Sequence, residues 1–283
     1  MSDAARLSAT VTPLDAGIAA ILNLNRRQLH RRLVTALVAV LAVLLACGYA
    51  GVLDPRRYAD AIPTILTLAA DAMPPDFSRW PGWGRPLLET LSMSVAGTAL
   101  GLLIALPLGA LAARTIAPDW IGSPVRLLLN TCRSIPTLVW GILYVAAVGF
   151  GPLPGVLALA SHSIGMLGKF CAEILEHVDP APGDALRSQG VSHLGVLRFS
   201  VWPQIMPRLT DVAIYRWEHN LRAATTLGVV GAGGLGLELI TAFHLFEYRE
   251  ASALILVMLG LVSAINLIGA RIRRRLVHLE PRA

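Results

Sequence analysis

Arg216, Glu218, Asn220 and Arg222 crowd into one short stretch of a chain whose neighbouring segments carry almost no charge. Ionisable groups are costly inside a membrane segment and ordinarily face a protein interior or an aqueous cavity, so these side chains are candidates for lining a route for a polar solute. A structural reading competes with that one. Glu218 and Arg222 are four residues apart and can pair along one helical face. Arg216 can extend its head to the cytoplasmic boundary, and Asn220 can join helices by hydrogen bonding. Both readings stay open at this point. A second candidate, Arg133 with Ser134, precedes Pro136 at a helix start. A guanidinium there can attract an oxyanion, or it can anchor the cytoplasmic side of a span.

Other patterns suggest chemistry and fail on context. Gly231-Ala-Gly233-Gly-Leu-Gly236 fits the dinucleotide pattern GxGxxG, with Glu250 near the position of a ribose-binding acid. That pattern needs a strand before it, a helix after it and a parallel sheet around it, whereas apolar segments flank this one. A helix end or break, with glycines for close packing and positive φ, is the expected role. Gly168-Lys169 is followed by Phe170 where a phosphate-binding loop needs a hydroxyl, and Ser163 stands in place of its first glycine. The chain is therefore read as no ATPase, and any ATP-driven motor must be another polypeptide. Cys47, Cys132 and Cys171 have no paired spacing and read as small core residues, so neither a disulfide framework nor a metal site is expected. His162 between Ser161 and Ser163 hints at a Ser/His hydrolase, but no GxSxG elbow or orienting carboxylate accompanies it, and polar helix packing is the expected role.

The elements that must position these residues follow from composition. Of the 283 residues, 55% are hydrophobic and 15% charged, against a charged fraction of about a quarter in soluble proteins. The expected solvent is a lipid bilayer. The net charge of +6 comes almost wholly from arginine, with Lys169 the only lysine, and the arginines cluster at the ends of apolar runs. That distribution orients membrane helices and argues against nucleic-acid binding.

Leu33 to Leu53 carries no charge and matches the roughly 20 helical residues that cross a hydrocarbon core. Thr90 to Ala113 is a second such run. Between Ser134 and Gly168, Gly149, Gly151, Pro152, Pro154 and Gly155 mark a turn, giving a third span from about Leu127 or Ser134 to Val148 and a fourth from about Val156 to Leu175. Ala251 to Ala270 is the last, and a fifth is inferred between Pro207 and Gly231 to keep the topology consistent. The expected fold is all-α, a polytopic membrane protein with six transmembrane helices. Arginines at 26–32, 114–133, 187–208 and 271–282 then fall inside, and only Arg56, Arg57, Arg79, Arg85 and Arg249 fall outside, which places both termini in the cytoplasm. The organisation reads as a cytoplasmic N-terminal segment 1–32 with no signal-peptide cleavage site, a first helix 33–53, an external segment 54–87, a five-helix core 88–276 and a cytoplasmic tail 277–283. Within the external segment, Ile62, Ile65, Leu66, Ala69 and Met73 recur at helical spacing ahead of Phe77, Trp80 and Trp83, as in an interfacial helix.

The cytoplasmic loop 179–208 has a pattern of its own. After Pro180 and Pro182, Asp184 is placed to cap a short helix through Gln189, and Gly190 ends it. Leu194, Leu197 and Val201 form a second apolar stripe before Trp202-Pro203. Two short helices that meet at a bend and expose apolar residues call for a partner.

Asp184-Ala185-Leu186, three residues, Gly190, and Pro203 thirteen residues further on resemble the EAA loop of ABC importer permeases. The family's pattern there is Glu-Ala-Ala, three residues, Gly, nine residues, then Ile-x-Leu-Pro. Asp184 replaces Glu, Leu186 replaces Ala, and Ser200 and Trp202 replace Ile and Leu, so spacing matches better than identity. More of the chain, roughly Pro74 to Leu276, resembles the phosphonate-type branch. The residues that carry this are Pro74-Pro75-Asp76-Phe77-Ser78, Leu88-Glu89-Thr90, Gly97-Thr98, Arg133-Ser134-Ile135-Pro136, the run Trp217 to Thr225, and Leu227 to Gly234.

The resemblance implies a type I ABC importer permease. Asp184, Ala185, Leu186, Gly190 and Pro203 would belong to coupling helices seated in a cytoplasmic ATPase, with Gly190 the bend and Pro203 the start of the return to the membrane. It also implies a second copy of the permease, two ATPase subunits that hold ATP and Mg, and an external solute-binding protein, all at a bacterial inner membrane, with no cofactor in this chain. The cargo would be phosphonate or a related phosphorus oxyanion. Arg133, Ser134, Arg216, Glu218, Asn220 and Arg222 would then be candidates for the substrate pathway, with Asn220 able to donate to a phosphonate oxygen. Alternatives are a permease for another small solute, such as phosphate or phosphite, and an ion-coupled secondary transporter.

Overall fold

The computed structural model describes residues 13–277, and contacts divide the chain into two units at Thr67/Leu68. In the first unit, α1 (Pro13–Tyr49) contains the apolar stretch Gln28–Tyr49, 22 residues with a mean hydropathy of 2.1. The helix stops at Tyr49, short of the expected Leu53, because Gly51 turns the chain with φ +75°. Tyr58 Oη donates to Val52 O at 2.8 Å and Asp54 Oδ1 accepts from Arg56 N–H, which starts α2 (Pro55–Asp71). α2 covers the apolar positions Ile62 to Ala69, and Ile62, Ile65 and Leu66 are exposed.

The second unit takes in the last residues of α2, from Leu68, and then the segment around residues 74–83, which lies on the start of the last helix. Arg79 Nη1 sits 2.9 Å from both Glu247 Oε2 and Glu250 Oε2, and Asp76 N–H donates to Arg249 O. Hydrogen bonds from Ser78 hold the Asp76 carboxyl below the usual carboxylate range. A short 3-10 turn, Trp80–Trp83, leads into α3 (Gly84–Ala112). There follow α4 (Asp119–Ser134), α5 (Thr137–Val148), α6 (Pro152–Glu176), α7 (Ala181–Ser188), α8 (His193–Val196), α9 (Trp202–Leu227), α10 (Gly234–His244) and α11 (Tyr248–Val277).

α6 is the centre of this unit and packs on α3, α4, α5 and α9. Its closest neighbour is α3, whose buried residues are mostly small: Thr90, Ser94, Gly97, Thr98, Gly101, Ala105 and Gly109. A Cβ at Gly97 would strike Leu159, one at Gly101 would strike Ser163 and one at Gly109 would strike Cys171. This is how helices associate in lipid, where close van der Waals contact and polar bonds replace the hydrophobic drive. Because the pairs advance together along both chains, α3 and α6 run parallel. The α4–α5 pair must therefore cross the membrane in the opposite direction between them.

Neither half of that pair spans alone. The two helices bend by 89° at Ile135-Pro136, and the 12 residues of α5 extend about 18 Å against a hydrocarbon core of about 30 Å. The expected third span is thus a broken one. The fourth begins at Pro152, earlier than expected, because Gly151 (φ +123°) turns the chain and Pro152 starts the helix. The fifth begins upstream of Pro207. Helical backbone continues from His193 to Val230, with Pro207 inside α9, and then bends by 44° into α10. With α1, α3, α6 and α11 long and apolar enough to cross a membrane, counting each bent pair as one crossing gives six among the described residues.

The glycine segment is that second break. Gly231, Gly233 and Gly234 have φ of +87°, +85° and +72°. The N-terminus of α10 is occupied by α3: Glu89 Oε2 accepts Gly234 N–H at 3.1 Å and Thr90 Oγ1 accepts Leu235 N–H at 2.9 Å. The place a nucleotide phosphate would need is filled by a side-chain carboxylate.

Gly101→Val should lower the stability of the protein in detergent by about 1–3 kcal/mol through overpacking against Ser163. Gly260→Ala, on an open face of α11, should leave it unchanged or raise it by up to about 1 kcal/mol. Thermal unfolding of the two variants checks the pair, and equal behaviour would contradict the close α3–α6 approach.

Candidate functional site

Three helices bring polar groups together inside the second unit, and Ser163 on α6 is their meeting point. Its hydroxyl donates to Leu159 O at 2.5 Å, the ordinary way a serine satisfies itself on a helix. The same oxygen accepts Arg216 Nε–H at 2.8 Å and Asn220 Nδ2–H at 2.9 Å, both from α9. Asn220 Nδ2 also donates to Thr98 Oγ1 on α3 at 2.9 Å, and Trp217 Nε1 donates to Ser94 Oγ at 3.2 Å. Arg216 and Asn220 lie four apart, so a single α9 face presents both to α6.

The electrostatics of this cluster are one-sided. Arg216 is 1% exposed and Asn220 and Ser163 are fully buried. Arg216 makes its remaining contact through Nη1 to Met166 Sδ at 3.2 Å, while Nη2 and Asn220 Oδ1 have no protein partner. No carboxylate pairs with Arg216 among the described residues. His162 and His219 both lie within electrostatic reach of Arg216 and of each other, and His219 also senses Arg222. His162 Nδ1 is 3.2 Å from Ile135 O, at the α4–α5 break, and Tyr144 Oη shares a 2.7 Å hydrogen bond with Ser161 Oγ. Burying a guanidinium is costly, and a nitrogen left without an acceptor adds to that cost.

The six intramembrane candidates separate accordingly. Arg216 and Asn220 belong to the cluster, and Arg222 stands at its exposed side. Arg216 does not reach for the cytoplasmic boundary: packing on α6 holds its head inside. Glu218 leaves the cluster and does not pair with Arg222. Its Oε1 lies 2.8 Å from Arg273 Nη2 on α11, with Asp211 4.0 Å from Arg273 Nε. Gly269 makes room for it, since a Cβ there would strike the Glu218 carboxylate. A partner distant in the chain offers a buried, nearly neutral pair, which the local pairing with an exposed Arg222 does not. Arg133 and Ser134 are exposed at the end of α4, where Ser134 Oγ donates to Asn130 O at 2.7 Å, and they take no part in the cluster.

Sequence reasoning missed Ser163 as a hub and Thr98 and His219 as members. One signal was available: Thr90, Ser94 and Thr98 recur every four residues in an otherwise apolar helix, which marks a face turned to protein.

The loop 179–208 folds into α7 and α8 joined at Gly190, whose φ is +78° and whose missing side chain would meet nothing. Asp184 is inside α7 and binds Arg187 at 3.0 Å; it is Asp179 whose Oδ1 accepts Ala181 N–H at the start of the helix. Ala185 and Leu186 follow on the same helix. Ser192 caps α8 by accepting Gly195 N–H. Pro203 sits in the first turn of α9 within helical backbone that is continuous from His193, so Pro203 does not start the helix. Gln204 binds Asp179 N–H and Asp179 O, closing the loop on itself. Leu194 is 78% and Phe199 69% exposed, and Leu197 and Trp202 are also uncovered.

The family described as "Binding-protein-dependent transport system inner membrane component" matches residues 105–279. The phosphite transport system permease protein PtxC of Stutzerimonas stutzeri is 50% identical over 233 residues, covering 82% of this chain and 85% of that protein. The phosphate-import permease protein PhnE of Mycolicibacterium smegmatis is 38% identical over 224 residues, covering 79% of this chain and 42% of that one. Among solved structures, an inward-facing MetNI methionine ABC transporter chain has a TM-score of 0.60 at 24% identity, over 69% of this chain and 95% of that chain, a likeness of fold.

Glu218→Gln removes the shorter of two carboxylate contacts to the part-exposed Arg273 and should destabilise the protein by about 1–2 kcal/mol. The double variant Glu218→Gln, Arg273→Gln should cost less than the single one. A double-mutant cycle from unfolding in detergent measures this, and additive costs would mean that the two side chains do not interact.

Proposed function

This chain belongs to the family of binding-protein-dependent transport system inner membrane components, and on that footing we propose that it is the permease subunit of an ATP-driven importer for phosphonate or a related phosphorus oxyanion. The observation that carries the cargo is the 50% identity, over 82% of the chain, to a protein named as a phosphite transport permease. A permease of this kind has no ATPase of its own. Transport requires cytoplasmic ATPase subunits, which hold ATP and Mg, and an external binding protein that delivers the anion. Both termini lie in the cytoplasm, as the arginine distribution supports.

The second permease position is filled by another copy of this chain. The related cryptic phosphonate permease proteins PhnE1 and PhnE2 of Escherichia coli are separate chains, 40% and 35% identical to parts of this one. A hetero-pair is therefore the competing arrangement. Co-purification of two differently tagged copies of this chain, expressed with the ATPase, supports the homodimer; a tagged chain that retains none of the other overturns it.

The loop at Asp184, Ala185, Leu186, Gly190 and Pro203 is the surface that meets the ATPase. Its exposed Leu194, Leu197, Phe199 and Trp202 supply the apolar contact area, and α7 and α8 move together because Gln204 closes the loop. In the transport cycle, ATP binding closes the motor, the loop follows it, and the permease opens outward to receive the anion. Hydrolysis resets it inward.

Two measurements test this reading. Proteoliposomes holding the complete complex should take up phosphite, phosphate or methylphosphonate only with ATP inside and loaded binding protein outside. Uptake that survives without ATP and follows an ion gradient would point to a secondary transporter. Gly190→Val puts a β-branched residue at φ +78°, a strain of about 1–2 kcal/mol, and re-aims α8 against α7. It should lower uptake at least tenfold while the chain still inserts into the membrane. Normal uptake and normal assembly would exclude the bend from coupling.

A further inference from the structure

The cluster around Arg216 buries a positive charge with no carboxylate paired to it among the described residues, and leaves one donor, Arg216 Nη2, and one acceptor, Asn220 Oδ1, unpaired. Its guanidinium is 1% exposed, spends Nε on Ser163 and Nη1 on a thioether, and leaves Nη2 without an acceptor. His162 from α6 and His219 from α9 lie within electrostatic reach of Arg216, and Arg222 lies within reach of His219; Tyr215 is also in reach of Arg216, but no carboxylate stands beside it among the described residues. The acid on this stretch, Glu218, is turned away and neutralised by Arg273. A helix lock would place Glu218 against Arg216 or Arg222; this arrangement withdraws the carboxylate and keeps the cations.

The groups also form a sequence in depth. Arg222 is exposed, His219 and His162 are half-buried, and Arg216 is enclosed. A chain of positive and proton-donating groups running from an open face into a low-dielectric interior attracts an anion, and each step offers a hydrogen bond in place of lost water. Because Arg216 is held to α6 through Nε on Ser163 and Nη1 on Met166, an oxyanion that meets the free Nη2 does not have to break the hydrogen bond to Ser163. Weak, successive sites suit a passage, since a tight clamp would hold the cargo.

We propose that His162, His219, Arg222 and Arg216 form an oxyanion station inside this permease, which receives the tetrahedral phosphorus anion released by the binding protein and passes it inward. The station rests on the phosphorus-oxyanion reading above, and it depends on charge and not on helix packing.

Replacing His219 by Glu and by Gln separates these. The two substitutions have nearly the same shape, and Glu would gain the company of Arg216 and Arg222, so it carries no penalty for folding. His219→Glu fills the station with a resident anion. In proteoliposomes of the complete complex, phosphite uptake by H219E should fall at least tenfold below that of H219Q. Direct binding of radiolabelled phosphite to the nucleotide-free permease–ATPase complex, without binding protein, should be lost in H219E and weakened in H219Q, with Arg222→Gln as a second variant behaving like H219Q. Equal uptake and equal binding by H219E and H219Q overturn the station. If H219E fails to assemble, Arg222→Glu against Arg222→Gln decides the matter, and equal uptake by that pair again overturns the station. Failure of the wild-type complex to carry phosphite, phosphate or methylphosphonate with a loaded binding protein defeats the cargo reading instead and is visible before any variant is made.

Discussion

One hydroxyl holds the intramembrane part of this protein together. Ser163 Oγ takes two hydrogen bonds from α9 and gives one to its own helix, and through Asn220 it reaches Thr98 on α3. In water such bonds exchange with solvent and contribute little; in lipid the alternative is an unsatisfied polar group, so the bonds also fix which helix faces meet. The approach is possible because Gly101 leaves room at the Ser163 Cβ. The small-residue face of α3, the polar face of α9 and the position of α6 between them are thus one constraint seen from three helices.

The same economy governs the breaks. Backbone that leaves the helical pattern at membrane depth exposes carbonyls and N–H groups that need partners from protein. At the α4–α5 bend, Trp140 Nε1 binds Cys132 O and His162 Nδ1 approaches Ile135 O. At the α9–α10 break, Glu89 and Thr90 from α3 take the N–H groups of Gly234 and Leu235. Each break is therefore clamped by a helix that does not contain it, and neither is a free hinge.

This explains what the sequence made visible. Apolar runs marked α1, α3, α6 and α11 because desolvation dominates there, and the glycine-rich stretch read as a break because its flanks allow no strand. Spatial pairing was a different matter. Glu218 and Arg222 have the spacing of a helix pair, yet the carboxylate goes to Arg273, 55 positions away in the chain, because α11 packs there and Gly269 opens a place for it. Asp184 looked like a cap although Asp179 does that work, since proline lets the helix begin sooner. Ser163 gave no signal of its own: a serine on an apolar helix is satisfied locally in most settings, and only α9 turns it into a hub.

The continuity of α9 joins the two ends of this arrangement. Helical backbone runs unbroken from His193, in the exposed loop, past Arg216 and Asn220 to Val230, just before the glycine break. The distance from loop to Arg216 is about 35 Å at helical rise, and a helix transmits displacement along its axis far better than a loop does. Near its start the helix widens at Leu197–Val201, where Gly183 of α7 packs against Ser200 and Val196. On the proposed coupling role of the loop, a push on α7 and α8 would be delivered there, and α9 would carry it to the residues bonded to Ser163. Those bonds are to groups on α6 and α3, so α9 cannot shift without remaking the cluster. On that reading, motion at the loop and the state of Arg216 would be coupled through a single helix.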